Sequence, residues 1–206
     1  MPYIQVNGVS QMARPRTFNE DEIIEKAMFA FWKQGYEATS IGDLETATGI
    51  SRISIYNAFG DKEGLFLKAL SKYHQIAYDF FNEEFVNGGL RSISELFEGI
   101  ASDKPNDAPQ RFGCMLVNTV LDVETVGSKA EAIVQRCRCD MLTAFAAAIE
   151  QAAKQGHIKN TPEKTDDRSE FLVGAMWGCW TTARSQRNAA AAKGIARTVL
   201  DTLRTW

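Results

Sequence analysis

The chain has 206 residues, of which 45% are hydrophobic and 24% charged, and its net charge at pH 7 is −3. This composition is ordinary for a globular protein with a buried core, and it argues against a strongly basic protein that binds nucleic acid regardless of sequence. The longest apolar run, residues 171–180, is too short to cross a bilayer, so we expect no membrane partner.

The first eleven residues carry no charge and no long apolar run, so they do not resemble a signal peptide, and Met12 is an alternative start. We therefore expect a cytoplasmic protein. The four cysteines and two histidines show no metal-ligand spacing. We expect no metal site and no cofactor, although copper(I) held by thiolates stays open.

Four helices are predicted in the N-terminal part, at 19–34, 40–48, 51–59 and 61–87, where apolar residues recur at helical spacing. A glycine follows each of them, as is common at helix ends. The third helix is too short to be stable alone, so the others must hold it.

Helices are also predicted at about 90–101, 111–123, 128–155, 167–187 and 190–204. Polar loops, "SDKPNDAP" and "NTPEKTD", separate some of them. No segment alternates like a strand, and no hairpin dipeptide joins two strand-like runs. The sequence therefore predicts an all-α fold.

The second and third helices, joined by a tight turn at Gly49, have the shape of a helix-turn-helix, whose second helix fits a major groove. Arginine can read a guanine edge and asparagine an adenine edge. The outward positions of the second helix are Arg52, Ile53, Ser54 and Asn57. The Tyr56 hydroxyl and the Lys62 ammonium suit phosphate oxygens, and Lys62 lies in a first helical turn, where free N–H groups attract anions.

The stretch "GYEATSIGDLETATGISRISIYNAFGDKEGLF", residues 35–66, closely resembles the DNA-binding domain of TetR-type transcriptional regulators. The matching elements are Gly35-Tyr36, Thr39-Ser40-Ile41, Leu44, Gly49-Ile50-Ser51, Ile55-Tyr56, Phe59 and Lys62-Glu63. The preceding Arg14 and Arg16 look like the basic arm of many members, which reaches phosphates or a minor groove.

The resemblance implies a repressor that binds a palindromic double-stranded DNA operator as a homodimer. A small-molecule inducer in the C-terminal domain then releases the DNA. The implied domains are a three-helix helix-turn-helix domain over 13–73 and a ligand-binding and dimerisation domain over 74–206. The implied DNA contacts are Arg14, Arg16, Thr39, Ser51, Arg52, Ile53, Ser54, Tyr56, Asn57 and Lys62.

One departure from the family pattern lies in the third helix. Many members carry two aromatic residues there, near "YYHF", whereas this chain has "YNAF". Asn57 and Ala58 therefore point to a different operator.

The segment "RFGCMLVNTVLDV" resembles a branch of the family that includes efflux, copper-stress and electrophile-responsive regulators. We predict an apolar ligand pocket lined by Phe97, Phe112, Met115, Phe145, Trp177 and Trp180, with Met141, Phe171 and Met176 as further candidates. Cys114 is interpreted either as a small buried residue or as a sensor thiol that is oxidised or alkylated.

Residues 167–182 are apolar on nearly every side, which indicates burial against both the chain itself and a partner. Gly174 and Gly178 lie one turn apart and permit close helix approach. Family members usually pair their last two helices in a dimer, which agrees with this pattern.

Two other classes of protein compete with a DNA-binding regulator. An enzyme lacks support, because the sequence shows no Ser/His/Asp set, no glycine-rich phosphate loop and no paired carboxylates. We therefore expect no enzymatic activity. A helical adaptor that has lost DNA binding has only two features in its support, the acidic balance of residues 12–70 and the "YNAF" departure.

Overall fold

The computed structural model describes residues 19–85, 87–105, 108–121 and 123–206. Within these ranges the chain forms helices and turns without strands, which confirms the all-α prediction. Arg14 and Arg16 lie outside the described residues. The elements are α1 Glu20–Gln34, α2 Ile41–Thr48, α3 Arg52–Phe59, α4 Lys62–Phe85, α5 Leu90–Ala101, a 3₁₀ turn Pro109–Phe112, α6 Met115–Leu121, α7 Val123–Lys154, α8 Pro162–Ser185 and α9 Lys193–Leu203.

Side-chain caps fix the ends of the short helices α2 and α3. Ser40 and Asp43 form a reciprocal capping box at the start of α2. Ser51 accepts a hydrogen bond from the Ser54 N–H at 3.3 Å at the start of α3. Gly49, with φ 76°, ends α2 in the left-handed conformation that glycine adopts without strain. These local contacts set the bend between α2 and α3.

The helices α1, α2, α3 and the first half of α4 enclose a shared core. Phe31, Leu44, Ile55, Leu65 and Phe66 in this core are each 2% exposed or less. Burying a side chain of this size stabilises the fold by about 1.5–3 kcal/mol. Tertiary burial of this kind holds α3, whose eight residues are too few for an isolated helix.

The long helix α4 joins this N-terminal core to the C-terminal part of the chain. Its second half packs along α7, where Phe81 and Phe85 lie 5.8 and 5.3 Å from Phe145 between ring centroids. Farther on, α5 packs on α9 and α7 on α8. α4 therefore contributes side chains to both the N-terminal and the C-terminal core.

The predicted helix at 111–123 is wrong at its start. Residues Pro109–Phe112 form a 3₁₀ turn, and α6 begins only at Met115. Gly113 separates them with φ 73°, and a Cβ at this position would lie 2.8 Å from the Trp180 carbonyl oxygen. Only glycine fits this close approach of α8. The positive φ of Gly113 ends the 3₁₀ turn before α6 begins.

The starts of α8 and α9 also differ from the sequence prediction, whereas a break in α7 agrees with it. α8 begins at Pro162 rather than 167, because the Thr161 hydroxyl caps it and proline suits the first helical position. The backbone of α7 breaks at Gly127, with φ 75°, next to the predicted start at 128. α9 begins at Lys193 rather than 190. Among the described residues, no helix has both the length and the apolar character needed to cross a membrane.

Candidate nucleic-acid interface and effector cavity

One face of α3 projects from the helix-turn-helix. Arg52, Ile53 and Asn57 are exposed on it, and Ile53 is 73% exposed. Ile55 is fully buried on the opposite side, as the helical spacing predicts. An exposed face with a guanidinium, an amide and an apolar tip offers the groups that read guanine, adenine and the thymine methyl in a major groove.

Arg52 makes contacts through both its backbone and its side chain. Its backbone N–H donates to Glu45 Oε1 at 2.5 Å, so a carboxylate from α2 lies at the positive end of the α3 dipole. Its guanidinium lies 5.4 Å from the Tyr56 ring centroid and donates to the Tyr56 hydroxyl at 3.5 Å. The side chain therefore lies along the exposed face of α3 rather than extending freely into solvent.

Tyr56 and Lys62 lie at the edge of this face. Tyr56 is 38% exposed. The Lys62 ammonium lies 4.5 Å from the Tyr36 ring centroid and donates to the Glu37 carbonyl at 3.4 Å. This places the cation beside the α1–α2 connection and at the N-terminal end of α4, where a phosphate oxygen is favoured.

The structure places Thr39 away from the surface, although the resemblance assigns it a DNA contact. Its side chain is 0% exposed, and its hydroxyl donates to the Gly35 carbonyl at 2.6 Å. Its backbone N–H donates to the Tyr36 carbonyl at 3.3 Å. With both donors used inside the fold, Thr39 shapes the α1–α2 connection.

An apolar cavity of about 420 Å³ lies among α1, α4, α5, α7, α8 and the 3₁₀ turn. None of its lining side chains is charged, and Ile76 and Phe80 at its edge are 51% and 44% exposed. A cavity of this kind suits a neutral apolar molecule. Its walls are formed by Met28, Trp32, Tyr73, Ile76, Ala77, Phe80, Phe81, Leu96, Gln110, Gly113, Cys114, Met141, Met176 and Trp180.

Most of the predicted pocket residues do not line this cavity. Phe97, Phe145 and Met115 are buried in the core and are not among the side chains that line this cavity. Phe112 faces a separate polar cleft. Of the six, Trp180 lines the cavity, together with Met141 and Met176 from the further candidates. Helical spacing marks a side chain as inward-facing but does not distinguish a packed core from a cavity wall.

Two further predicted pocket residues lie elsewhere on α8. Trp177 is half-buried, and its indole N–H has no hydrogen-bond partner among the described residues. Phe171 is 42% exposed and lies 6.4 Å from the Trp206 ring. Neither is among the residues that line the apolar cavity.

Sequence reasoning missed the contribution of α1 to the cavity. Met28 and Trp32 belong to the helix-turn-helix part, yet both line the cavity beside α4. Trp32 lies 5.6 Å from Tyr73 between ring centroids. The sequence did contain a signal for this contribution, because Phe29 and Trp32 of α1 are aromatic residues on a different side of the helix from the buried Phe31.

Hydrogen bonds fasten the end of α1 to the cavity wall. The Trp32 indole N–H donates to the Gly113 carbonyl at 2.8 Å. Arg184 of α8 donates to the Trp32 carbonyl at 3.3 Å and to the Phe112 carbonyl at 3.2 Å. We call Trp32, Phe112, Gly113 and Arg184 the α1–α8 latch. It connects a helix of the DNA-binding part with two walls of the cavity.

Cys114 lies in the cavity wall and is buried. Burial raises the pKa of its thiol, and its side chain is within hydrogen-bonding reach of the Tyr73 hydroxyl. Burial also raises the pKa of Cys179 to about 11 and that of Cys137 still further. Since the thiolate is the reactive form, these three buried thiols are weak nucleophiles at neutral pH.

A face of α8 that bears small residues points away from the chain. A Cβ added at Gly174 or Gly178 would meet nothing within 4 Å, and the same holds for Gly194 of α9. The exposed Phe171 lies on the same helix. Within a single chain the glycines of this face are therefore not needed for internal packing.

The family model described as "Bacterial regulatory proteins, tetR family" matches residues 23–69. The HTH-type transcriptional repressor ComR of Escherichia coli is 32% identical over 203 residues, covering 94% of this chain and 91% of that protein. The HTH-type transcriptional repressor AcnR of Corynebacterium glutamicum is 49% identical over 51 residues, covering 25% of this chain and 27% of that protein.

Solved structures agree with these matches. A TetR family regulator, CifR, in a cysteine-mutant form complexed with 26-bp operator DNA, is 25% identical with a TM-score of 0.68, over 94% of this chain and 100% of that chain. A TetR family regulator from Agrobacterium tumefaciens shares the fold with a TM-score of 0.74 at 23% identity, over 88% of this chain and 95% of that chain.

An all-α chain with this helix-turn-helix, its exposed α3 face and these relatives is a DNA-binding transcriptional regulator. It belongs to the TetR family.

Proposed function

We propose that the protein is a repressor that binds a palindromic operator as a homodimer and leaves it when a small-molecule inducer occupies the apolar cavity. The α1–α8 latch carries this proposal, because Trp32 both lines the cavity and holds a carbonyl of its wall. A ligand that enters beside Trp32 must act on a helix of the DNA-binding part. The likeness to the repressor ComR supports repression rather than activation of transcription.

In the proposed complex, α3 lies in the major groove. Arg52, Ile53 and Asn57 face base edges, since they form its exposed side. Tyr56 and Lys62 bind phosphates on the flanking backbone. Ser51 and Ser54 at the start of α3 lie where their hydroxyls can reach either target. The arm residues Arg14 and Arg16 complete the DNA-binding domain, which we place over 13–73.

The proposed dimer forms through α8 and α9, within the ligand-binding and dimerisation domain over 74–206. Two observations support this surface: the open space around Gly174 and Gly178, and the exposed Phe171. Small residues let two helices approach closely, and a symmetric pair of such surfaces closes a dimer. The two α3 helices then read the half-sites of a palindrome.

The proposed inducer is a neutral, apolar and at least partly aromatic molecule. The cavity walls offer aromatic rings and thioethers, with Tyr73 and Gln110 as polar groups that orient the ligand. Binding favours a conformation with a wider cavity, and the populations shift toward a form whose α3 helices no longer match the groove spacing. The movement passes from Trp32 through α1 to the core that holds α3.

Sensing by Cys114 is the weaker alternative. The residue touches the cavity, but burial raises the pKa of its thiol and keeps the thiolate population low. We therefore assign Cys114 to the wall of the ligand cavity.

The test uses a variant that fills the cavity. Ala77 is half-buried in its wall, so Ala77→Phe occupies space that the inducer needs. Mass spectrometry of small molecules extracted from the wild type identifies the ligand, which is then added to complexes of protein and upstream DNA. We expect Ala77→Phe to bind operator like the wild type but to resist release.

The matched control is Ala132→Phe, which adds the same ring at an exposed position of α7. It should respond to the ligand like the wild type. Normal release of Ala77→Phe by the same ligand would place the inducer site elsewhere, and failure of the wild type to bind upstream DNA would contradict the repressor itself.

A further inference from the structure

A second concave site lies between the end of α1 and the end of α8. It is a cleft of about 840 Å³, beside the 3₁₀ turn, and we call it the basic cleft. Its lining carries four cationic side chains and, among the described residues, no carboxylate. This concentration is unexpected in a chain with net charge −3. The lining residues are Lys33, Gln34, Ala38, Arg111, Phe112, Arg184, Ser185 and Arg187.

Helix electrostatics account for part of this concentration. Lys33 lies in the last turn of α1 and Arg184 in the last turn of α8, where positive charge opposes the negative end of the helix dipole. Arg184 also donates to carbonyls of the α1–α8 latch. Arg111 ends the 3₁₀ turn and Arg187 follows α8 directly, so these negative helix ends favour positive charge there as well, but neither side chain donates to the latch.

Arg187 occupies a backbone conformation that ordinarily belongs to glycine. Its φ is 50°, the positive value that L side chains rarely adopt. It follows α8, and the Asn188 N–H closes the helix end by donating to the Ala183 carbonyl at 3.0 Å. Glycine would satisfy this geometry without strain, whereas the arginine carries backbone strain there. Strain of this kind clusters at functional sites, which makes Arg187 a candidate contact for a ligand.

Arg111 lines the basic cleft from the 3₁₀ turn, where a neighbouring aromatic ring restricts its side chain. Its guanidinium lies 5.0 Å from the Phe112 ring centroid, and the residue is half-buried. A stacked guanidinium keeps its donors in a plane and loses little freedom when an anion binds. Three cations, Lys33, Arg111 and Arg187, thus surround one concave space from three separate segments.

We propose that the basic cleft binds a small multivalent oxyanion, a molecule with two or more phosphate or carboxylate charges. Lys33, Arg111 and Arg187 form its contacts, while Arg184 lines the same cleft and holds the latch. Guanidinium groups bind such oxygens through paired, charge-assisted hydrogen bonds. The apolar cavity has no charged wall, so the two sites select different chemistry.

The bound anion links the same segments as the α1–α8 latch. It joins α1 through Lys33, the 3₁₀ turn through Arg111 and the end of α8 through Arg187. Occupancy therefore favours the arrangement of α1 that the structure shows and changes operator affinity. By linkage, operator DNA changes anion affinity by the same factor.

The DNA backbone is the competing occupant, since Ala38 in the cleft neighbours the Glu37 carbonyl that holds Lys62. We favour a small anion, because the cations line a concave space from three segments. Phosphates of a duplex are instead reached by side chains on a projecting surface such as α3.

The test measures anion binding to the full-length protein without DNA, so it stands even where the proposed repressor function fails. Calorimetric titrations use inorganic pyrophosphate and malonate at constant ionic strength, with sodium chloride as the reference. The test variant is Arg187→Gly, which removes the cation and relieves the positive-φ strain, so it should fold at least as well as the wild type. The control is Lys129→Gln, an exposed cation of α7 outside the cleft.

We expect saturable binding in the wild type and in Lys129→Gln, and a loss of about tenfold or more in Arg187→Gly. Tighter binding of pyrophosphate indicates a phosphate-bearing effector, and tighter binding of malonate a polycarboxylate. The proposal is overturned by an effect that chloride reproduces, or by equal binding in all variants. It is also overturned when Arg187→Gly binds random DNA more weakly, with a flatter salt slope, and the wild type binds neither anion.

Discussion

Replacing Trp32 with phenylalanine tests the α1–α8 latch while an aromatic ring remains in the cavity. The variant loses the indole N–H that donates to the Gly113 carbonyl at 2.8 Å. Gly113 is buried, and leaving a buried acceptor without its donor costs about 1–3 kcal/mol. Trp32 is only half-buried, so water can reach part of the site, and we expect about 1–2 kcal/mol.

This loss is measurable by thermal unfolding. In a chain of 150–250 residues, 1 kcal/mol corresponds to about 2–4 °C in Tm, so Trp32→Phe should unfold roughly 2–8 °C below the wild type. The protein concentration is held fixed, because dimerisation makes Tm depend on it. A second readout is the operator affinity with and without the extracted ligand, where the ligand-induced loss should shrink by about tenfold.

The matched control is Trp180→Phe. It trims a tryptophan from the same cavity, but no hydrogen bond from its indole to a backbone carbonyl is found among the described residues. We expect a smaller Tm change and, at saturating ligand, release of operator DNA as in the wild type, because Trp180 contributes to ligand affinity as a cavity wall but not to the latch. A Trp32→Phe protein with the Tm and ligand response of the wild type would refute the latch as the route between cavity and DNA.

Further substitutions test the remaining assignments. Arg52→Ala should weaken operator binding by about 1–3 kcal/mol and relax preference at one base pair in a binding-site selection, whereas equal loss on random DNA would make it a backbone contact. Lys62→Ala should weaken binding to all sequences alike and flatten the salt slope in anisotropy titrations, and a sequence-dependent loss would contradict this. Gly178→Leu should dissociate the dimer in light scattering at micromolar concentration, because the open space at Gly178 is where the partner packs; an unchanged mass would move the interface. Cys114→Ser should keep its ligand response and lose about 1–2 kcal/mol of stability. If oxidants release the wild type from DNA but do not release this variant, the sensor interpretation is restored.

The sequence predicted the helix-turn-helix well because its signals are local. Ser40, Gly49 and Ser51 act on backbone groups a few residues away, so their spacing alone marks the ends of α2 and α3. The inward position of Ile55 follows from helical periodicity in the same way. Thr161 and Pro162 were an equally local signal for the start of α8, and it was missed.

The cavity could not be derived in this way because its walls come from distant segments. Trp32 and Gly113 are 81 positions apart, and no periodicity connects them. Phe145 and Trp180 look alike in a helical pattern, yet the first is closed into the core and the second lines the cavity. Thr39 shows the same limit. The family resemblance assigns it a DNA contact, whereas its buried hydroxyl donates a hydrogen bond to the Gly35 carbonyl inside the fold.

Sequence-specific DNA binding by α3 is the central claim, and a comparison of two duplexes tests it most directly. Wild-type protein is titrated against a labelled duplex from its footprinted upstream site and against a shuffled duplex of the same length and composition, in the same salt. The exposed Arg52, Ile53 and Asn57 predict that the site is bound about 1,000-fold or more tightly than the shuffled duplex. Equal affinities for the two duplexes would contradict the claim.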